Sequence, residues 1–283
     1  MYKFFNRTVK QHYGSKPQIP PQQELLEIAE TLKLLPEKTK FGIYKTPVGI
    51  EVELENLRDL SNAPFWNVVA DHSLRNNGAE FVSVPVSGKN IDAALASLRN
   101  ILEKNMGYET SVRCSTHVHI NVSDLDRGQL HMLIALYACF EKLLFSLHDE
   151  RRIHNPYCYP LTYLRNINTI TARNNLEYMK YCALNTGHLS DYGTVEFRHM
   201  EGLESVEKLE RWIQIIQKLV QYVKLNDIQY VYSRIMDLNT SSEYASFAEQ
   251  VLYPVNPFRG ITNLQEEMES GVTWAKLFLH FGE

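Results

Sequence analysis

Four short stretches of this chain alternate between apolar and polar residues, and a period of two limits them to strands whose opposite faces meet different surroundings. They are VGIEVELE at residues 48–55, AEFVSVPV at 79–86, THVHINV at 116–122 and TVEFRHM at 194–200. In the first, Ile50, Val52 and Leu54 share one face while Glu51, Glu53 and Glu55 share the other. Same-face neighbours lie about 7 Å apart, so each pair of carboxylates repels by roughly 2 kcal/mol at an effective dielectric near 20. A bound cation removes that penalty, although a solvated outer edge is the plainer account of the same pattern.

The third stretch puts His117, His119 and Asn121 on one face and Val118, Ile120 and Val122 on the other. Two imidazoles aimed into one space suit a metal site, yet an isolated pair is more often structural. In the fourth, Thr194, Glu196 and Arg198 share a face, which gives Arg198 the means to neutralise an anion near a metal. The duller account is a salt bridge worth under about 1 kcal/mol if exposed. A turn at Asn76-Asn77-Gly78 leads into a strand beginning at Glu80, with Asp71 and Ser73 just before it. Taken together, acids, imidazoles and a guanidinium on four strands favour a polar catalytic floor. Carboxylates outnumber histidines there, and hard oxygen ligands select Mg²⁺ or Mn²⁺ over zinc.

Between the strands the apolar period lengthens to that of helices. One is expected from Ile91 to Lys104, stopped by Asn105 to Gly107. A second runs from about Leu125 to His148, opened by a Ser123/Asp124 cap, and a third from about Val206 to Leu225. Strands interleaved with a few long helices fit an α+β layer arrangement. The loop RRIHNPYCYPLTY after the second helix is long enough to be functional, or is a bulky surface loop. Residues 1–40 are polar and proline-bearing, with one amphipathic stretch from Gln22 to Leu35, and read as a packed N-terminal extension. Residues 41–283 read as one catalytic domain.

Composition narrows the function classes. A chain with 44% hydrophobic and 22% charged residues can bury a sizeable core. Its net charge of −4 and pI near 6.2 exert no long-range pull on phosphate backbones or anionic lipid, so neither nucleic acid nor a membrane is expected as a partner. Any anion must be held by local arginines. Cys114, Cys139, Cys158 and Cys182 form no CxxC pair, and the first residues, MYKFFNRTVKQHYG, lack the pattern of a secretory signal. A reducing, cytoplasmic location is the expectation. Neither GxxxxGK[ST] nor GxGxxG occurs, so metals would have to hold the phosphates of any nucleotide. GxSxG is missing too, which disfavours a hydrolytic triad.

The ordered set GIEVELE, DHSLRNNGAEFVS, CSTHVHINVSD, ERRIHNPYCYP, KYCALN and GTVEFRHMEGL resembles the amidoligase family, relatives of glutamine synthetase and glutamate–cysteine ligase. The match spans about Val48 to Leu225. The resemblance implies a glutamine synthetase-like fold, a curved, mainly antiparallel sheet with ATP and two or three divalent ions (Mg²⁺ or Mn²⁺) on its concave face and helices packed on its convex face. Carried over position by position, Glu51, Glu53, Glu80, His117 and Glu196 match the metal-binding pattern. His119 is the second histidine of the HVH motif, near the phosphates, and Arg198 the arginine of the EFR motif. Glu53, Glu196 and Arg198 are thereby the expected catalytic groups, and His119, Arg152 and Arg198 the expected nucleotide contacts. Arg152 and Tyr157 fall in an arginine–tyrosine loop that meets an acidic or phosphate group; Asp71, Ser73, Tyr157 and Asn185 are expected at the substrate. The chain departs from the family in having Lys180 where arginine often precedes the tyrosine, which keeps the charge and loses the bidentate fork.

The activity implied is ATP-dependent joining of a carboxylate to an amine through an acyl phosphate. Its partners are an amino acid, peptide, cell-wall fragment or protein side chain of each kind, and assembly into an oligomer is compatible with it. Two rivals stay open. In a zinc hydrolase, His117, His119 and a carboxylate hold the metal and activate water; in a binding protein the sheet persists without the chemistry.

Overall fold

Burial along the first strand follows its sequence. In β1 (Val48–Leu54), Val48, Ile50, Val52 and Leu54 are buried, and Glu51 and Glu53 are half-buried on the other face. The computed structural model describes residues 46–164, 179–258 and 265–281. The N-terminal extension and the amphipathic stretch from Gln22 to Leu35 lie outside the described residues. The chain divides into two compact units. One runs through Asn121 and resumes at His188–Ile213; the other comprises Val122–Gly187 and Gln214–Glu283.

The first unit holds the sheet. Its strands are β1, β2 (Trp66–Ala70), β3 (Ala79–Ser83), β4 (Ser115–Asn121) and β6 (Thr194–Glu201), the short β5 (Leu184–Asn185) belonging to the second unit. They run in the order β2-β3-β1-β4-β6, and every one of these pairings is antiparallel. Asn76 and Asn77 take the left-handed conformation ahead of β3, and the Asn77 amide donates to the Leu57 carbonyl at 2.7 Å, so the expected turn is there. β3 is shorter than the alternating stretch because Pro85 has no N–H to give. Val86 nonetheless bridges back to Val48.

The apolar face is covered from within the unit. Trp66 donates its indole N–H to the Ala94 carbonyl at 2.8 Å, seating α1 (Lys89–Lys104) through its buried Leu95, Leu98 and Ile101. Trp212, on the helix Val206–Leu225, meets Phe197 of β6 edge-on at 6.2 Å. Each of these large side chains contributes about 1.5–3 kcal/mol when fully buried.

The second unit is helical apart from β5. α2 (Arg127–Phe145) starts later than expected, because the side chain of Asp126 accepts from the Gln129 N–H and Gln129 returns the bond. The cap is therefore Asp126, not Ser123/Asp124. After α3 (Leu189–Tyr192) in the first unit, α4 (Val206–Leu225) has the predicted ends. It is followed by α5 (Ile228–Met236), α6 (Ser241–Leu252) and α7 (Gln265–Phe281). Tyr244 of α6 donates to the Cys139 carbonyl of α2 at 2.7 Å. A side chain in place of Gly271 would bring a Cβ to 2.5 Å from the Ala138 carbonyl, so α7 packs on α2 at backbone distance. All four cysteines are buried and none is in a disulfide. Among the described residues no helix is long and apolar enough to cross a membrane.

Candidate functional site

Strand register brings the polar residues face to face. Glu51 stands opposite His117, Glu53 opposite Glu80, and His119 opposite Glu196. Because Thr116 pairs with Met200 and Val118 with Phe197, Arg198 and His199 of β6 together oppose His117 alone. This bulge resets the alternation beyond Arg198. It sends His199 to the apolar side, 5.2 Å from Trp212 between ring centroids.

Two groups of candidate metal ligands share Glu196, each with its ligand atoms within 4.8 Å of one another. The first is Glu51, His117 and Glu196, in which His117 Nδ1 lies 3.4 Å from Glu51 and 3.2 Å from Glu196. The second is His119, His188 and Glu196, with His188 Nε2 at 3.2 Å from Glu196 Oε2. His119 Nε2 is 3.3 Å from Glu51 and 4.0 Å from Glu196. Glu196 is 1% exposed and also receives the Arg198 guanidinium. A carboxylate this deeply buried is stable as an anion only with such partners.

The second layer of contacts orients the first. Ser115 donates both its N–H and its hydroxyl to Glu53 Oε2, at 2.7 and 2.8 Å. With its proton turned to that carboxylate, Ser115 Oγ is left to accept from His117 Nε2 at 2.7 Å. His117 therefore gives its Nε2 proton to Ser115, and its Nδ1 faces Glu51 and Glu196. On the neighbouring ring His119 Nδ1 meets Thr194 Oγ1 at 3.3 Å, which leaves Nε2 toward the carboxylates.

The electrostatics are those of a place short of positive charge. Burial alone would lift the Glu51 carboxyl, but the charge of His119 and hydrogen bonds from His117 and His119 hold it well below the usual range. Burial works against Glu196 in the same way and is outweighed by Arg198, His119 and a hydrogen bond from His188. Glu80 has no such help. Burial, then the charges of Glu51, Glu53, Asp71 and Glu196, push its carboxyl well above the ordinary value. For His119, burial disfavours the proton while Glu51 and Glu196 favour it, and the net shift is upward.

The residues expected at the metals thus lie in one unit, whereas Glu55, read on the same face of the first strand as Glu51 and Glu53, leaves that face. Beyond β1 the chain turns at Asn56, and Glu55 is buried, accepting from the Arg75 N–H at 2.8 Å. Asp71 is near enough to act on Glu80, and its side chain caps the N–H of Ser73, which is exposed. Arg152, Tyr157 and Asn185 belong to the second unit. There Arg152 is buried in a 3₁₀ turn, Tyr157 is 61% exposed with its ring edge-on to Tyr181, and buried Asn185 accepts from the Gly187 N–H at 2.8 Å.

Sequence reasoning missed Ser115 and His188. His188 lies on no strand; it precedes α3, its ring stacked on Tyr192, and Gly193 in the left-handed conformation then turns the chain into β6. A histidine eight residues before Glu196 across a glycine turn was the readable signal.

A family model described as "Putative amidoligase enzyme" matches residues 51–220, more than half of the 283-residue chain. The chain belongs to this amidoligase family. No curated protein matches it. The matched span runs from Glu51 through Glu196 and Arg198 and includes every residue of both ligand groups. Membership puts the chain in the ligase class, with substrates that an amide bond joins.

Proposed function

We propose that this amidoligase is an ATP-dependent carboxylate–amine ligase working on the polar face of the sheet. The observation that carries the reading is the convergence of Glu51, His117 and Glu196 within the span that matches the family. The donor set fits a hard divalent ion: carboxylate oxygens dominate, and burial together with the charges of Glu51, Glu53, Asp71 and Glu196 raises the Glu80 carboxyl, a load of negative charge that a cation would offset. Glu51, His117 and Glu196 would hold Mg²⁺ or Mn²⁺, with Glu53 and Glu80 beside them. When bound, the ions neutralise phosphate oxygens of ATP.

The chain's own residues do the rest by position and charge. Ser115 fixes Glu53 and His117 together, and Arg198 holds a guanidinium beside Glu196 where charge on a transferring phosphoryl group needs an opposite. In the reaction proposed, the substrate carboxylate takes the γ-phosphoryl group as ADP leaves. The amine then bonds to the acyl carbon, gives up a proton and displaces phosphate.

Purified protein should convert ATP to ADP and phosphate only with a divalent ion and a suitable carboxylate–amine pair. Glu53→Gln and Glu196→Gln should each lower that turnover by about 100-fold or more. Variants that bind metal and turn over ATP like the parent would overturn the assignment.

A further inference from the structure

We infer that His119, His188 and Glu196 form a second cation site, distinct from the Glu51–His117–Glu196 group, that takes a transition-metal dication of the zinc type. The inference goes beyond the ligase reading and requires no turnover. Three separate parts of the chain supply the ligands: β4 gives His119, the residue before α3 gives His188, and β6 gives Glu196. Their ligand atoms fall within 4.8 Å of one another. A tetrahedral ion with ligands near 2.1 Å spaces them by roughly 3.4 Å, so small side-chain rotations close the site.

Ring orientation argues for a metal over a simple hydrogen-bonded cluster. Thr194 engages His119 Nδ1, so Nε2 is turned to Glu51 and Glu196, as a ligating imidazole is turned by an outer partner. The His119 and His188 rings stand 5.1 Å apart, tilted at 53° and not stacked. Both oxygens of Glu196 are engaged: Oε1 faces His117 and Arg198 and lies 4.0 Å from His119 Nε2, and Oε2 faces His188. A carboxylate so placed can bridge two cations. The donors also separate the sites by chemistry. Two imidazoles with one carboxylate are a zinc pattern, whereas magnesium prefers oxygen.

The test is a zinc titration of chelator-stripped, full-length protein without nucleotide, read by competition with a chromophoric chelator. His188→Gln should weaken binding at one site by about 100-fold or more, since even outer-shell partners are worth about 10- to 100-fold. His117→Gln should leave that site intact and weaken the other. His188→Cys, which restores a zinc ligand, should recover binding. Melting in the presence and absence of zinc checks that the variants fold, with the zinc-induced rise in Tm smaller for His188→Gln than for the parent. A parent that takes up no zinc, or a folded His188→Gln that titrates like the parent, would overturn the site. Loss of ATP turnover alone would bear on the ligase reading and not on this one.

Discussion

His117 is held at both ring nitrogens, and the two contacts differ in kind. Nε2 gives a proton to Ser115, whose own proton goes to Glu53; Nδ1 faces a space bounded by two carboxylates. A ring nitrogen between two anions is favourably placed only with a proton or a cation there. Ser115 therefore fixes both the Nε2 side of His117 and the position of Glu53. Ser115→Ala should lower affinity for Mn²⁺ by about 10- to 100-fold, as expected for an outer-shell partner. It should also cost about 1–3 kcal/mol of stability, because buried polar groups lose their partner. Ser115→Thr, which keeps the hydroxyl, should restore most of both. Calorimetric titration and denaturation of the three proteins measure this, and an unchanged affinity in Ser115→Ala would remove Ser115 from the site.

Among the elements, α2 shows how one buried charge can organise a loop. Glu141 is 1% exposed in the second unit and accepts from Tyr137 OH and the Leu161 N–H through Oε1, and from the Thr162 N–H through Oε2. It thereby ties the 3₁₀ turn Leu161–Tyr163 to the helix. Burial lifts its carboxyl above the usual value of 4.5, and the hydrogen bonds from Tyr137, Thr162 and Leu161 only partly oppose that. The folded state therefore holds the Glu141 proton more tightly than the unfolded state. The stability this provides is complete below the unfolded pKa and is lost as pH rises through the folded one. Glu141→Gln cannot titrate, and its amide nitrogen would face a backbone N–H. The difference in stability between parent and variant should shrink as pH rises from 4.5, measured by denaturation across pH. A constant difference would mean that the carboxyl does not titrate abnormally.

α4 was legible because its apolar stripe is long and regular, and its ends in the structure are those the pattern gives. The helices after it were not foreseen, although one carries a readable start. Thr240 and Glu243 form a capping box at α6. Asp227 caps α5 through the N–H groups of Gln229 and Tyr230. The start of α2 was misplaced for a related reason: three candidate caps lie within four residues, and only Asp126 has Gln129 three positions on to complete the box.

At the scale of the whole chain, neither unit is a continuous stretch. The second is assembled from Val122–Gly187 and Gln214–Glu283, and α2 in the former is buried against side chains of the latter. Phe140 packs its ring on Tyr244 at 5.4 Å and on Phe247 at 5.6 Å. A chain ending at Ile213 would strip Tyr244, Phe247 and α7 from α2, whose large buried side chains are each worth about 1.5–3 kcal/mol. Losing the burial of several of them is comparable with a whole domain stability of about 5–15 kcal/mol. Such a truncation should bind a hydrophobic dye and lose cooperative melting; a soluble product with a sharp transition would show that the second unit's core does not depend on its later segment.

Which side chains lie on the polar face of each strand was determined by the sequence alone, because the pleat imposes a period of two whatever the strand pairs with. Glu51, Glu53, Glu80, His117, His119, Glu196 and Arg198 could be read in this way. What only the tertiary structure decided was their meeting. The pairing of Glu51 with His117 and His119 with Glu196 depends on register and on a bulge in β6. Those follow from burying Ile50, Val52, Val118 and Phe197 on the opposite face, a long-range outcome that no local pattern encodes. Ser115 and His188 belong to the same category: the hydroxyl and the loop imidazole gain their roles only when folding brings Glu53 and Glu196 within reach.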